Sequence, residues 1–233
     1  NLKEGKNLVG AFYPPQLIVT DPELLKTLDA RQYRSGLYEV VKYAVISDPL
    51  LFDVLERTMD RVVARDAEVL DWVVARCARI KAEIVGQDER EAGLRQVLNF
   101  GHTIGHAIEA ATGYRRVLHG EAVGWGMLAA VDIARELGLV RPAETDRIAA
   151  LVAGLGPLPR LPGRRESIAA RLGSDKKARA GRLRWVLPRR IGEVEITEEV
   201  PETLVRAVLG RLPQRFPRRT GGAARKSAPR EPR

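Results

Sequence analysis

The side chains of this chain best equipped for chemistry are its three histidines, which all fall between positions 102 and 119. They lie in Asn99-Phe100-Gly101-His102-Thr103-Ile104-Gly105-His106-Ala107-Ile108-Glu109 and in Leu118-His119-Gly120-Glu121. His102 and His106 are four apart, one turn along the same face of a helix, and His119 belongs to the next element. Imidazole binds transition metals and moves protons near neutral pH, so the cluster is raw material for a metal site or for proton transfer. A lone helical histidine is usually a surface or capping residue, but two at this spacing among only three weigh against that. No Glu follows His102 directly, which excludes the zinc-protease His-Glu-x-x-His pattern. Spacing alone suggests that His102 and His106 chelate one ion together.

A second candidate is the pair Glu39 and Lys42 in Gly36-Leu37-Tyr38-Glu39-Val40-Val41-Lys42-Tyr43-Ala44. Three residues apart, they share a face of an otherwise apolar helix. A surface ion pair is the plain reading; the apolar surroundings favour burial, where each charge needs a partner or a metal. The charge-rich stretch Lys81 to Arg95 reads by itself as a solvated face.

The elements that must position these groups are mainly helical. The chain is 45% hydrophobic and 30% charged, enough for a sizeable core, and Ala, Leu, Arg and Glu dominate, which favours helix. Residues 1–15 read as loop, and Gln16-Leu17-Ile18-Val19-Thr20 as a short strand with few pairing partners nearby. Asp21-Pro22-Glu23 is a helix start. From about 31 to 155 the pattern is helical with brief breaks. Leu55 to Ile84 forms one long amphipathic stretch, a helix near 91–111 carries His102 and His106, and another runs from about 119 to 137. Gly120, Gly124 and Gly126 in the last permit close helix approach or ligand access. Ser167 to Leu172 reads as a short helix. Leu183 to Pro188 and Gly192 to Ile196 alternate like the strands of a hairpin, and a final helix spans about 201–211.

The net charge of +9 is unevenly placed. Residues 211–233 hold eight Lys or Arg against one acid, Glu231, so that stretch carries +7 of it. It reads as a solvated basic tail, and the nearly balanced remainder gives no ground for a specific nucleic-acid interface. One cysteine, Cys77, excludes an internal disulfide framework and fits a reducing cytoplasm. No apolar run approaches the ~18 residues of a membrane span. No GxGxxG or Walker loop occurs, so the chain has no nucleotide-binding signature of its own.

Several segments, in order, resemble the 3-dehydroquinate synthase family of sugar phosphate cyclases: Gly5-Lys6-Asn7-Leu8 with Gly10-Ala11-Phe12-Tyr13, Gly36 to Tyr43, Lys81 to Arg95, Leu98 to Glu109, Leu118 to Glu121, and Asp175-Lys176-Lys177. The resemblance covers about residues 5–200. It implies an NAD- and metal-dependent carbon–oxygen lyase of the shikimate pathway, in aromatic amino acid biosynthesis. Such an enzyme turns 3-deoxy-D-arabino-heptulosonate 7-phosphate into 3-dehydroquinate and phosphate. It also implies a zinc (or cobalt) ion on Glu39, His102 and His119, which displaces the His102–His106 chelate and leaves His106 for proton transfer with Glu91.

By the same resemblance, Lys42, Lys81, Arg95, Asn99 and one of Lys176 and Lys177 bind substrate, and Lys42 acts in catalysis as well. Asn7 lies at the substrate edge, and Lys6, Leu24 and Thr27 at the NAD edge. In the family a dinucleotide-binding domain precedes the Gly-Lys-Asn segment. The expected organisation is therefore residues 1–30 as the edge of that domain, 31–210 as a helical metal and substrate domain, and 211–233 as the tail, with a homodimer by analogy and no activity from this chain alone. The alternatives are another sugar phosphate cyclase, making 2-deoxy-scyllo-inosose or a valiolone, and a non-catalytic metal-binding domain. Arg95 with Asn99 favours the dehydroquinate branch, whose substrate carries a carboxylate.

Overall fold

A computed structural model describes residues 9, 10, 13, 15–90, 93–161, 165–178 and 183–212, the side chains of 165, 166 and 174–178 excepted. Asp29 opens the first helix, α1 (Ala30–Ser47), by accepting hydrogen bonds from the Arg31 and Gln32 N–H groups. Asp48 ends α1 and starts α2 (Pro49–Val63): it accepts from Leu51 N–H at 3.0 Å, and Pro49 takes the first helical position, where a missing N–H costs nothing. The long amphipathic pattern expected over 55–84 is two helices, because Arg65 turns the chain in the left-handed region (φ 63°) and Asp66 caps a new helix, α3 (Ala67–Gln87). Apolar periodicity runs on across that reversal, which is why the sequence hides it. Cys77 sits part-buried on α3, where burial pushes its thiol up to about 12.

The helix expected near 91–111 is also divided. A 3-10 turn, Leu94–Asn99, precedes α4 (His102–Ala111), and Gly101 between them has φ 78°. Then come α5 (His119–Glu136), α6 (Pro142–Gly154), α7 (Arg165–Ala178), strands β1 (Trp185–Arg190) and β2 (Glu193–Thr197), and α8 (Glu202–Arg211). The strands form an antiparallel hairpin with Trp185 opposite Thr197. Its turn is pinned to α1 by Gly192 N–H donating to the Val45 carbonyl at 2.9 Å.

The core is built around α5, in which every residue from Gly120 to Ala134 is buried. It packs on α4, α1, α6, α8 and β1. Two of its glycines are there for backbone contact. A Cβ on Gly126 would lie 1.8 Å from the Gly101 carbonyl oxygen, and one on Gly120 would lie 1.8 Å from the Ser35 carbonyl oxygen. Close helix approach, not ligand access, accounts for both.

The mainly helical architecture with its hairpin is as the sequence implies. Gln16 to Thr20 is the exception: it forms no ladder, and Leu17, Ile18 and Val19 are at least 75% exposed. A strand exists only with a partner backbone, and no described residue supplies one. The body also reaches past the expected start of the tail. Arg211 pairs with Glu136 at 2.9 Å and Leu212 is fully buried, while residues 213–233 lie outside the described residues.

Candidate metal centre

Three helices converge on one point. Glu39 projects from the middle of α1, His102 is the first residue of α4, and His119 is the first residue of α5. Glu39 Oε1 lies 3.7 Å from His102 Nε2 and 3.6 Å from His119 Nε2. That oxygen is buried and has no hydrogen-bond partner among the described residues. An orphaned carboxylate oxygen is costly, and it faces two imidazole nitrogens at separations an ion would bridge. Tetrahedral zinc with bonds of about 2.0–2.2 Å holds its ligand atoms about 3.3 Å apart, a few tenths of an ångström less than the distances here.

The remaining atoms of the three side chains are tied down. Lys42, buried one turn along α1, donates from Nζ to Glu39 Oε2 at 2.6 Å. His102 Nδ1 faces the Phe100 carbonyl at 3.1 Å, and His119 Nδ1 faces Glu109 Oε2 at 3.2 Å. A ring that donates Nδ1–H to such an acceptor keeps the Nε2 lone pair free for a metal. Burial raises the Glu39 carboxyl, but the Lys42 ammonium and the neighbouring imidazoles outweigh it and hold the group below its ordinary value. Burial, with the Lys42 charge, pushes His102 down to about 4. At neutral pH the donors are one carboxylate and an uncharged His102, the protonation states a divalent ion requires. The residues therefore fit a catalytic-type zinc or cobalt site, three protein ligands with further positions open.

The start of α5 is braced from α1. Arg31 donates to both oxygens of Glu121, from Nε at 2.6 Å and Nη2 at 2.7 Å, and Glu121 also accepts from Leu118 N–H at 2.8 Å. Gly120 N–H donates to Ser35 Oγ at 3.1 Å. These contacts fix the residue between them, His119.

A cavity of about 540 Å³ adjoins the centre, with Asn99, His102, His106 and Arg171 in its wall. His106 is exposed on it; its ring stands edge-on to His102 at 5.3 Å between centroids and stacks on His119 at 6.1 Å. Neither set of three potential ligands among the described residues contains both His102 and His106, the pair suggested by spacing. A second set, His106, Glu109 and His119, shares His119 with the first.

The other candidate residues are more scattered. Lys81 is exposed on α3. Arg95 lies on the 3-10 turn, its Nη1 donating to the Glu89 carbonyl at 2.8 Å, and is not among the residues lining the cavity. Leu24 and Thr27 belong to an exposed 3-10 turn, Pro22–Thr27, closed by Thr27 Oγ1 donating to the Leu24 carbonyl at 2.8 Å. Lys6, Asn7 and Glu91 lie outside the described residues, as do the side chains of Lys176 and Lys177 on α7. Spacing did not single out Glu109, Arg31 or Glu121. Glu109 left a signal, a charge seven residues from His102 and so on the same helix face.

Fold and site together define a mainly helical domain with a carboxylate and two imidazoles converging beside a cavity. Residues 36–178 match the family described as 3-dehydroquinate synthase C-terminal, and residues 1–35 the one described as 3-dehydroquinate synthase N-terminal. The chain belongs to the 3-dehydroquinate synthase family.

It is 47% identical over 205 residues to the 3-dehydroquinate synthase of Koribacter versatilis, covering 88% of this chain and 56% of that protein. It is 48% identical over 213 residues to that of Nostoc punctiforme, covering 90% and 59%. It is similar in structure to 2-epi-5-epi-valiolone synthase from Streptomyces hygroscopicus with NAD+ and Zn2+ bound, with a TM-score of 0.82 and 32% identity over 93% of this chain and 61% of that one. A 2-deoxy-scyllo-inosose synthase complexed with carbaglucose-6-phosphate, NAD+ and Co2+ follows at TM-score 0.78 and 28% identity, covering 90% and 59%. The chain thus spans less than two thirds of the length of these relatives.

Proposed function

We propose that this chain is the metal- and substrate-binding part of a 3-dehydroquinate synthase, which converts 3-deoxy-D-arabino-heptulosonate 7-phosphate to 3-dehydroquinate and phosphate. The observation that carries the reading is the unpartnered Glu39 oxygen between the His102 and His119 nitrogens. When bound, the ion on these three residues supplies Lewis-acid polarisation of a substrate oxygen, and NAD supplies hydride chemistry.

The chain's own residues do the rest. His106, exposed on the cavity wall, exchanges a proton with the substrate, with Glu91 as its partner in transfer. Asn99 orients a ring hydroxyl from the same wall. Lys42, locked to Glu39, keeps a fixed positive charge beside the reacting oxygen. Lys81, Arg95 and one of Lys176 and Lys177 neutralise the carboxylate and phosphate, while Asn7, Lys6, Leu24 and Thr27 border substrate and NAD.

In this reading residues 31–212 are the catalytic body and residues 1–30 border a dinucleotide domain. The enzyme works in the cytoplasm, as a homodimer by analogy with its family. The test is phosphate release from the heptulosonate phosphate with NAD and zinc, using this chain fused to the dinucleotide domain of a relative and, in parallel, the chain alone. Release by the fusion supports the reading, and release by the chain alone overturns the division of labour. A folded, zinc-loaded fusion inactive on this substrate but active on another sugar phosphate makes the chain a different cyclase; inactivity on all of them makes it a non-catalytic metal-binding domain.

A further inference from the structure

Glu109 is a buried carboxylate that the proposed reaction does not use. It is 4% exposed on α4, flanked along the helix by buried Ile104, Ala107 and Ile108. A carboxylate in such surroundings needs a partner that offsets its desolvation, and its Oε2 lies 3.2 Å from His119 Nδ1.

His119 needs that contact more than His102 does. The His102 side chain is 12% exposed, held by packing and by the Phe100 carbonyl. The His119 side chain is 47% exposed, at the first residue of its helix, so packing restrains its ring less. Only one nitrogen of a neutral imidazole carries a lone pair. If Nδ1–H is donated to Glu109, the lone pair is on Nε2, which faces Glu39 Oε1 at 3.6 Å. The helix that carries the carboxylate packs closely on α5, with Gly126 against the Gly101 carbonyl and Gly105 against the Ala122 carbonyl.

We infer that Glu109 is a positioning residue that fixes the tautomer and orientation of His119 and so raises the metal affinity of the centre. The inference rests on the proposed ion at Glu39, His102 and His119. It assigns Glu109 a hydrogen bond from Nδ1–H rather than a metal bond, although Glu109 also falls in the second set of potential ligands, with His106 and His119.

The test uses the full 233-residue chain with Zn2+ and Co2+ as probes. Affinity is read by competition with a chromogenic chelator, ligand geometry by the visible absorption of the Co2+ form, and folding by urea titration of the metal-free chain. Glu109→Leu should keep a urea midpoint close to wild type without metal, since the side chains are similar in size and the half-exposed His119 imidazole it faces can hydrogen-bond water instead. It should bind zinc about 10–100-fold more weakly, with a shifted Co2+ spectrum. Glu109→Gln, which keeps a carbonyl acceptor for Nδ1–H, should restore most of the affinity and the wild-type spectrum. A merely structural role would move the urea midpoint and leave the spectrum alone.

His119→Ala separates the two levels of the reading. If it abolishes zinc binding while Glu109→Leu leaves affinity and spectrum at wild type, the inference falls and the metal centre stands. If His119→Ala itself binds zinc normally, the metal centre falls. A second equivalent of zinc on wild type that Glu109→Leu and Glu109→Gln both lose would make Glu109 a ligand and overturn the positioning role.

Discussion

Replacing Gly126 by alanine should damage the metal centre from two turns along the helix that carries His119. The added Cβ would lie 1.8 Å from the Gly101 carbonyl oxygen, whereas a carbon and a carbonyl oxygen settle no closer than about 3.3 Å. Both partners are backbone, so no rotamer relieves the clash, and α4 and α5 must part by about 1–1.5 Å. Overpacking of this kind costs about 1–3 kcal/mol, and with no flexible side chain to yield, the upper end applies. The same displacement carries His102, the residue after Gly101, away from its co-ligands. His102 Nε2 starts 3.7 Å from Glu39 Oε1, and one ion with bonds of about 2.1 Å cannot touch two atoms more than about 4.2 Å apart. Gly126→Ala should therefore lose about 3 kcal/mol by urea titration and at least tenfold in zinc affinity by chelator competition. Gly86→Ala on α3, where a Cβ meets nothing within 4 Å, is the control, with stability unchanged or higher by about 0.5 kcal/mol. A Gly126→Ala protein with wild-type stability and zinc affinity would refute the claim that backbone contact dictates this glycine.

Wild type should bind one equivalent of zinc removable by chelator, and retention of a full equivalent by the His102→Ala, His119→Ala double variant would sink the centre. Lys42→Met strips Glu39 of its buried partner and should destabilise the metal-free chain by about 2 kcal/mol; because the ion then takes over neutralising Glu39, zinc should raise the Tm of this variant more than that of wild type. Asp48→Ala removes the cap of α2 and should cost about 1–2 kcal/mol. Burial raises the Asp48 carboxyl, but hydrogen bonds from Arg76 and the Leu51 N–H outweigh it, so its folded-state value lies below the ordinary one. Its charge thus stabilises fully above the normal carboxylate range and ceases to as pH falls through that lowered value. The stability gap between wild type and Asp48→Asn, measured by urea titration, should shrink from pH 7 to pH 3.

Much of this was legible in the residues. Helical spacing in 36–45 and 119–137 marks α1 and α5, and alternation marks the hairpin. What the sequence concealed was of two kinds. Local breaks at Arg65 and Gly101 interrupt patterns whose apolar period continues unbroken, so periodicity could not find them. The convergence of Glu39, His102 and His119 is a tertiary fact. Glu39 lies 63 residues before His102, and no spacing rule joins them; only a resemblance to a family did. Spacing instead favoured His106, which is near in sequence but shares no set of three potential ligands with His102 among the described residues. Glu109 lay in plain view between the histidines, yet a buried acid on an apolar face signals a partner without saying which.

The lone thiol has a practical consequence. Cys77 is part-buried and its thiol is pushed up to about 12, so at pH 7–8 almost none of it is the nucleophilic thiolate. A cysteine introduced on an exposed helix face would react with maleimides or spin labels in preference to it. These 233 residues are therefore already a nearly cysteine-silent background. Probes for measuring the spacing between α3 and a paramagnetic ion in the centre can be attached without altering a single native residue of the core.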